Sequence, residues 1–208
     1  MVSSERIKTN RMLLSNSGLW NEFHINKTRD SQETQKYYNL ISNLLDQQLS
    51  ASRKWLSSRE ARTYYIGEVE YTREIFQALD DEWEDILNQH YDSVEELIEQ
   101  IYNTGKQKGY RDIQERLTFT NTDKKALDFL RQYNFHLIRK LSNDLRANVK
   151  NTITQGVIEG ENPYSLANKI VGLGVKPLEG STLSAKQRAV MIAKTEVSRA
   201  QNTGILQS

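Results

Sequence analysis

Apolar residues recur every three or four positions along most of this chain, the spacing of helices that bury one face. Tyr37, Leu40, Ile41, Leu44, Leu45 and Leu49 predict a helix over 31–58, with Trp55 and Leu56 continuing it and Ser57 and Ser58 closing it. Phe76, Leu79, Trp83, Ile86 and His90 mark one seam of a helix over 68–91. Ser93 and Glu96 make a capping box, so a further helix is expected to start near 93, with Val94, Leu97, Ile98 and Ile101 as its stripe and Gly105 and Gly109 toward its end. The longest pattern covers 123–159: Leu127, Leu130, Tyr133, Leu137, Leu141, Leu145, Val149 and Ile153, extended by Val157 and Ile158. Unbroken, it is a rod of about 50 Å. Asn162 as N-cap and Pro163 at the first helical position start a short helix that stops by Gly172 and Gly174. Ser184 and Gln187 form a second capping box and open a last helix over 184–202.

These elements predict an all-α, elongated protein with a long central helix and a short-helix, loop and helix closure at the C-terminus. Three regions follow: an N-terminal arm over 1–30, a helical region over 31–110, and a helical domain over 122–208. The segment Thr63-Tyr64-Tyr65-Ile66 has strand propensity but no visible partner, and Tyr110 to Asn121 reads as a connector. In the arm, Trp20 and Phe23 are candidate anchors on a partner, against the plainer reading of a frayed terminus.

Composition narrows the function. The chain has 208 residues, 37% hydrophobic and 26% charged, without cysteine, which excludes disulfides and thiolate metal sites. His24, His90 and His136 lack metal-ligand spacing, and no metal or other cofactor is expected. No stretch approaches the roughly 20 apolar residues of a membrane span, and the N-terminus does not read as a signal peptide. The net charge of +1 hides a strong asymmetry: +4 over 1–67, −11 over 68–99 and +8 over 100–208. Such a layout suggests an acidic element meeting a basic one, in this chain or on a partner. Asp80, Asp81, Glu82, Glu84 and Asp85 lack the glycine of a calcium loop and read as an exposed face, a candidate for partner binding. Arg131, Arg139, Lys140, Arg146 and Lys150 line the polar side of the long helix, a candidate nucleic-acid contact against the commoner reading of a solvated face. The glycines of 172–183 do not form a phosphate cradle, and no Ser-His-Asp or Cys-His set suggests an enzyme or a small-molecule substrate.

The last helix carries the most information. At ~100° per residue, Ala185, Ala189, Ile192, Ala193, Glu196 and Ala200 share one narrow face of mostly small side chains, which another backbone can approach closely. Glu196 near its centre needs a donor, because a carboxylate buried without one costs several kcal/mol, roughly. Arg199 is three residues on and within reach, whereas Arg188 points to another segment. The choice is between an ordinary surface ion pair and a structural clamp made by Glu196 with Arg199 or Arg188.

Arg188-Ala189, then Ile192-Ala193-Lys194-Thr195-Glu196, then Ala200 and Asn202 resemble the signature of the Mu-F-like phage head morphogenesis family. Lys194 stands where that family usually has Arg, and an ammonium cannot make the bidentate contact of a guanidinium. The likeness extends to the order of elements: a long helix ending in Gly, a short helix, a loop and the signature helix. The family domain usually runs further past Asn202, so the resemblance implies a short member or a removed C-terminal part. It implies a non-enzymatic minor head protein that binds the portal protein and also capsid protein. Its place would be the head interior or portal vertex of the virion, and the host cytoplasm during assembly. A role in DNA packaging or ejection follows from the same resemblance, with DNA contact as part of it. The alternative from a different class is a nucleic-acid-binding protein using the basic C-terminal half.

Overall fold

The computed structural model describes residues 32–58, 70–111, 121–161 and 163–207. Its helices are α1 (Gln32–Leu56), α2 (Glu70–Gln89), α3 (Tyr91–Arg111), α4 (Asn121–Ile158), α5 (Pro163–Val171) and α6 (Ala185–Leu206), with a 3-10 turn at Gly172–Val175 between the last two. The fold is all-α, and among the described residues the only β feature is an isolated bridge from Pro177 to Ser184. The arm, the Thr63–Ile66 segment and most of the expected connector before α4 lie outside the described residues.

The 3–4 pattern becomes one core. Tyr37, Ile41, Leu44, Leu45 and Leu49 of α1 are buried with Leu79 and Trp83 of α2, Ile98 and Ile101 of α3, Leu141, Leu145 and Ile153 of α4, and Leu166 and Ile170 of α5. Residues from 31–110 and from 122–208 thus line the same continuous core. α4 runs unbroken for 38 residues, about 57 Å. Its last turn differs from expectation: Val157 and Ile158 are exposed, the latter 80%, because at ~100° per residue Ile158 falls on the side of α4 opposite the buried Val149, Ile153 and Gly156, with Val157 at the edge of that side. The expected helix start at Ser93 also moves. α3 begins at Tyr91, and the Val94 amide already donates to the His90 carbonyl, so Ser93 is an exposed residue inside the first turn. The break falls at His90, whose Nδ1 lies 2.9 Å from the Ile86 carbonyl.

Two glycines decide how the ends of the chain meet. α3 and α6 make the most extensive helix pair, and both continue through glycines expected near or beyond their ends. A Cβ on Gly105 would sit 2.2 Å from the Gln201 carbonyl oxygen of α6. A Cβ on Gly204 would sit 2.2 Å from the Tyr102 carbonyl oxygen of α3. Each glycine therefore admits the other helix's backbone, and no larger residue fits without displacing main chain.

Polar groups are placed inside this core with partners. Gln48 Nε2 donates to Ser142 Oγ at 2.8 Å and to the Trp83 carbonyl at 3.2 Å, and Trp83 Nε1 donates to Ser52 Oγ at 2.8 Å. This net joins α1, α2 and α4. At the junction of α3 and α4, Lys106 Nζ lies 2.7 Å from Asp123 Oδ2, with side chains 3% and 0% exposed, and the Tyr102 hydroxyl donates to the same carboxylate. Asp123 also occupies the first turn of α4, where a negative charge complements the helix dipole.

The glycine crossing makes a prediction of sign. In an open helix Gly→Ala stabilises by about 1 kcal/mol. Gly204→Ala is expected to destabilise by about 3 kcal/mol in urea unfolding, because overpacking outweighs propensity. Gly172→Ala, whose Cβ would meet nothing nearer than the Lys176 Cε at 3.8 Å, is expected to stay within about 1 kcal/mol of the parent.

Candidate functional site

α6 starts where its sequence says it should. Ser184 Oγ accepts from the Gln187 amide at 3.2 Å, and Gln187 Oε1 accepts from the Ser184 amide at 2.8 Å, closing the capping box. Ala185, Ala189, Ala193 and Ala200 are buried on one side, as their spacing predicts, and Ile192 is half-buried at its edge. Glu196 is 1% exposed in the middle of that side. Both its oxygens accept from Arg199 Nη1, at 2.8 and 2.7 Å. The guanidinium also lies over the Tyr133 ring of α4, 4.5 Å from the centroid.

The surroundings of Glu196 come from three helices. The Tyr37 hydroxyl of α1 donates to Asn134 Oδ1 of α4 at 2.7 Å, and Asn134 Nδ2 donates to the Leu130 carbonyl at 2.7 Å. Burial, and then the charge of Glu196, push the Tyr37 phenol well above its ordinary range, so it stays a neutral donor. Burial also raises the Glu196 carboxyl, and Arg199 opposes this by its charge and its hydrogen bonds. The pair is thus Glu196 with Arg199, three residues apart within α6, and its contact to another helix is the Tyr133 ring of α4. Arg188 donates instead to Asp144 Oδ2 of α4 at 2.6 Å, and Lys186 reaches Asp46 of α1 at 2.8 Å. The signature's remaining polar positions, Thr195 and Asn202, lie exposed on the opposite side of α6.

The acidic and basic candidates meet each other. Asp80 of α2 lies 2.6 Å from Lys150 and 3.4 Å from Arg146 of α4. Glu84 pairs with Arg139, and Glu99 of α3 with Arg131 at 2.7 Å. Two corrections follow. The acidic cluster is not one exposed face, because Asp80 and Glu84 turn toward α4 while Asp81, Glu82 and Asp85 point to solvent. The basic side of α4 is not a free cationic stripe, because four of its five cations have carboxylate partners and Lys140 alone has no ion pair among the described residues. Trp20 and Phe23 lie outside the described residues. Among those residues no group of three or more His, Asp or Glu could hold a metal ion, and no helix is long and apolar enough to cross a membrane.

Sequence reasoning missed Gln48, Asn134 and Ser142, which are buried through hydrogen bonds rather than by hydrophobicity. Their signal was present only as polar residues interrupting apolar stripes. Comparison with protein-family models, with curated proteins and with solved structures gives no match to this chain.

Arg199→Ala is expected to cost about 2 kcal/mol at neutral pH, since it leaves a buried carboxylate unpaired. The sign with pH follows from the raised carboxyl. Between the ordinary carboxyl range and the folded value, the native state binds more protons than the unfolded one, so Glu196's contribution falls as pH rises through that window. The penalty in Arg199→Ala should therefore shrink as pH is lowered from 7.5 toward 5, and Glu196→Gln should remove that dependence, both read by urea unfolding. The outer seam behaves differently. Asp80→Asn is expected to cost about 1 kcal/mol at 50 mM salt and less at 1 M, whereas Asp85→Asn should change stability by under about 0.5 kcal/mol at either.

Proposed function

We propose that the chain is a minor head protein of the Mu-F-like kind, acting by binding rather than by chemistry. What carries the reading is the signature helix itself. Arg188, Ile192, Glu196 and Arg199 are the positions through which α6 closes on the rest of the fold, with Ala189, Ala193 and Ala200 as its close-packed side. Support also comes from the order of elements around it: long α4, short α5, the loop with Gly180 at φ +70°, and α6.

In this reading the protein binds the portal, and capsid protein beside it, at the portal vertex or in the head interior. It assembles there from the host cytoplasm and acts in DNA packaging or ejection. Asp81, Glu82 and Asp85 are the residues proposed for the portal contact, because they are exposed while Asp80 and Glu84 are held by α4. Trp20 and Phe23 are proposed as the second contact.

The test is co-expression with the portal protein this reading requires, then nuclease treatment and size-exclusion chromatography. Co-elution at high salt is expected. Triple reversal of Asp81, Glu82 and Asp85 to Lys should lower the bound fraction at least tenfold at moderate salt and leave unfolding midpoints nearly unchanged. Elution of the parent chain free of portal under both salt conditions would overturn the portal reading.

A further inference from the structure

The outward side of α4 carries a line of residues that make no ion pair among the described residues. Lys125, Phe129, Gln132, His136, Lys140 and Asn143 share one face at ~100° per residue, and all six are exposed. The line holds no carboxylate. The nearest ones flank it and are engaged: Asp128 lies 3.8 Å from Arg131, and Asp144 accepts from Arg188 at 2.6 Å. Lys125 and Lys140 have no ion pair among the described residues, and about 22 Å of helix separates them.

Between these lysines Phe129 is 61% exposed, an unusual placement for a large ring on a polar helix face. The ring is not loose. It stacks on Tyr133 with centroids 5.8 Å apart and planes 17° apart, and Arg199 lies 4.5 Å over the same Tyr133. Arg199 is in turn fixed by buried Glu196. Guanidinium, phenol and phenyl thus form one chain of contacts that runs from buried Glu196 to exposed Phe129. An oriented ring flanked by unpaired cations presents a stacking surface for a base and counter-charges for phosphates. A purely apolar partner would leave the lysines without a role.

We propose that this face of α4 binds single-stranded nucleic acid, with a base stacked on Phe129 and phosphates meeting Lys125 and Lys140. The inference does not depend on portal binding, and of the five basic positions of α4 named above it uses only Lys140, the one without an ion pair among the described residues.

Fluorescence anisotropy of a labelled oligothymidine with the purified full chain at 50 mM salt tests it. Binding is expected, tighter than to a duplex of the same length. Phe129→Ala should weaken it by about fivefold to a hundredfold, the range of one base–aromatic stack. Lys125→Ala with Lys140→Ala should reduce the salt slope by about 1.4, as the loss of two phosphate contacts requires. Arg146→Ala with Lys150→Ala, on the paired seam, should change affinity less than twofold. Far-UV circular dichroism checks that each variant keeps its helices. The proposal is overturned if the parent chain does not bind the oligonucleotide, if Phe129→Ala binds as tightly as the parent, or if duplex is preferred. Retained portal co-elution alongside such a failure would leave the head-protein reading standing and point to a protein partner at Phe129.

Discussion

The buried carboxylate of Glu196 governs how α6 closes on this fold. Glu196 sits where α1, α4 and α6 converge, and a charge there is tolerable only with a donor beside it. Arg199 supplies that donor from the next turn of the same helix, and its guanidinium also lies over the Tyr133 ring. The arrangement fixes both the rotation of α6 and its depth. Turning α6 about its axis would move Glu196 and the alanine face together, because both lie on one side of the helix. Within that constraint the helix approaches α3 closely enough for Gly105 and Gly204 each to meet the opposite backbone. The two features depend on each other, since the close crossing requires small residues and the clamp sets which side of α6 presents them.

The remaining charges follow a second logic. The strong negative balance of 68–99 and the positive balance after it are complementary halves of one seam, in which Asp80, Glu84 and Glu99 meet cations of α4. Such pairs contribute little individually, so the seam sets which helix faces which rather than supplying much stability. What is left unpaired is then informative. Asp81, Glu82 and Asp85 face outward on α2, and Lys125 and Lys140 face outward on α4. These exposed acids and exposed lysines thus stand on different helices.

Much of this was legible in the sequence, and the exceptions share a cause. Helices α1, α4 and α6 fall close to their predicted spans because apolar spacing and the Ser184 capping box act locally. Glu196 stood out as a charge on a packing face, and Arg188 as a residue aimed elsewhere, because position on a helix is a matter of spacing alone. The stripe read through Tyr133 and Leu137, by contrast, runs in the structure through Asn134 and Ile138. Asn134 is polar, and only its bonds to Tyr37 and the Leu130 carbonyl make it a core residue. The continuation of α6 past Gly204 was hidden for a similar reason. A glycine reads as a helix end unless the neighbouring backbone that needs it is known. Charge asymmetry likewise predicted a meeting of opposite signs without saying that Asp80 and Glu84 would meet this chain's own α4.

The central claim is that the Glu196 clamp and the glycine crossing bind α6 into the same cooperative unit as α1 and α4. Native-state hydrogen exchange measures this most directly, since it reports the free energy of opening for each helix. The account predicts that the slowest amides of α6, around Ala193 to Val197, exchange only through global unfolding, with the same opening free energy and denaturant dependence as those of α1 and α4. Exchange of those α6 amides at a clearly lower opening free energy, with little denaturant dependence, would show that α6 detaches on its own and would contradict it.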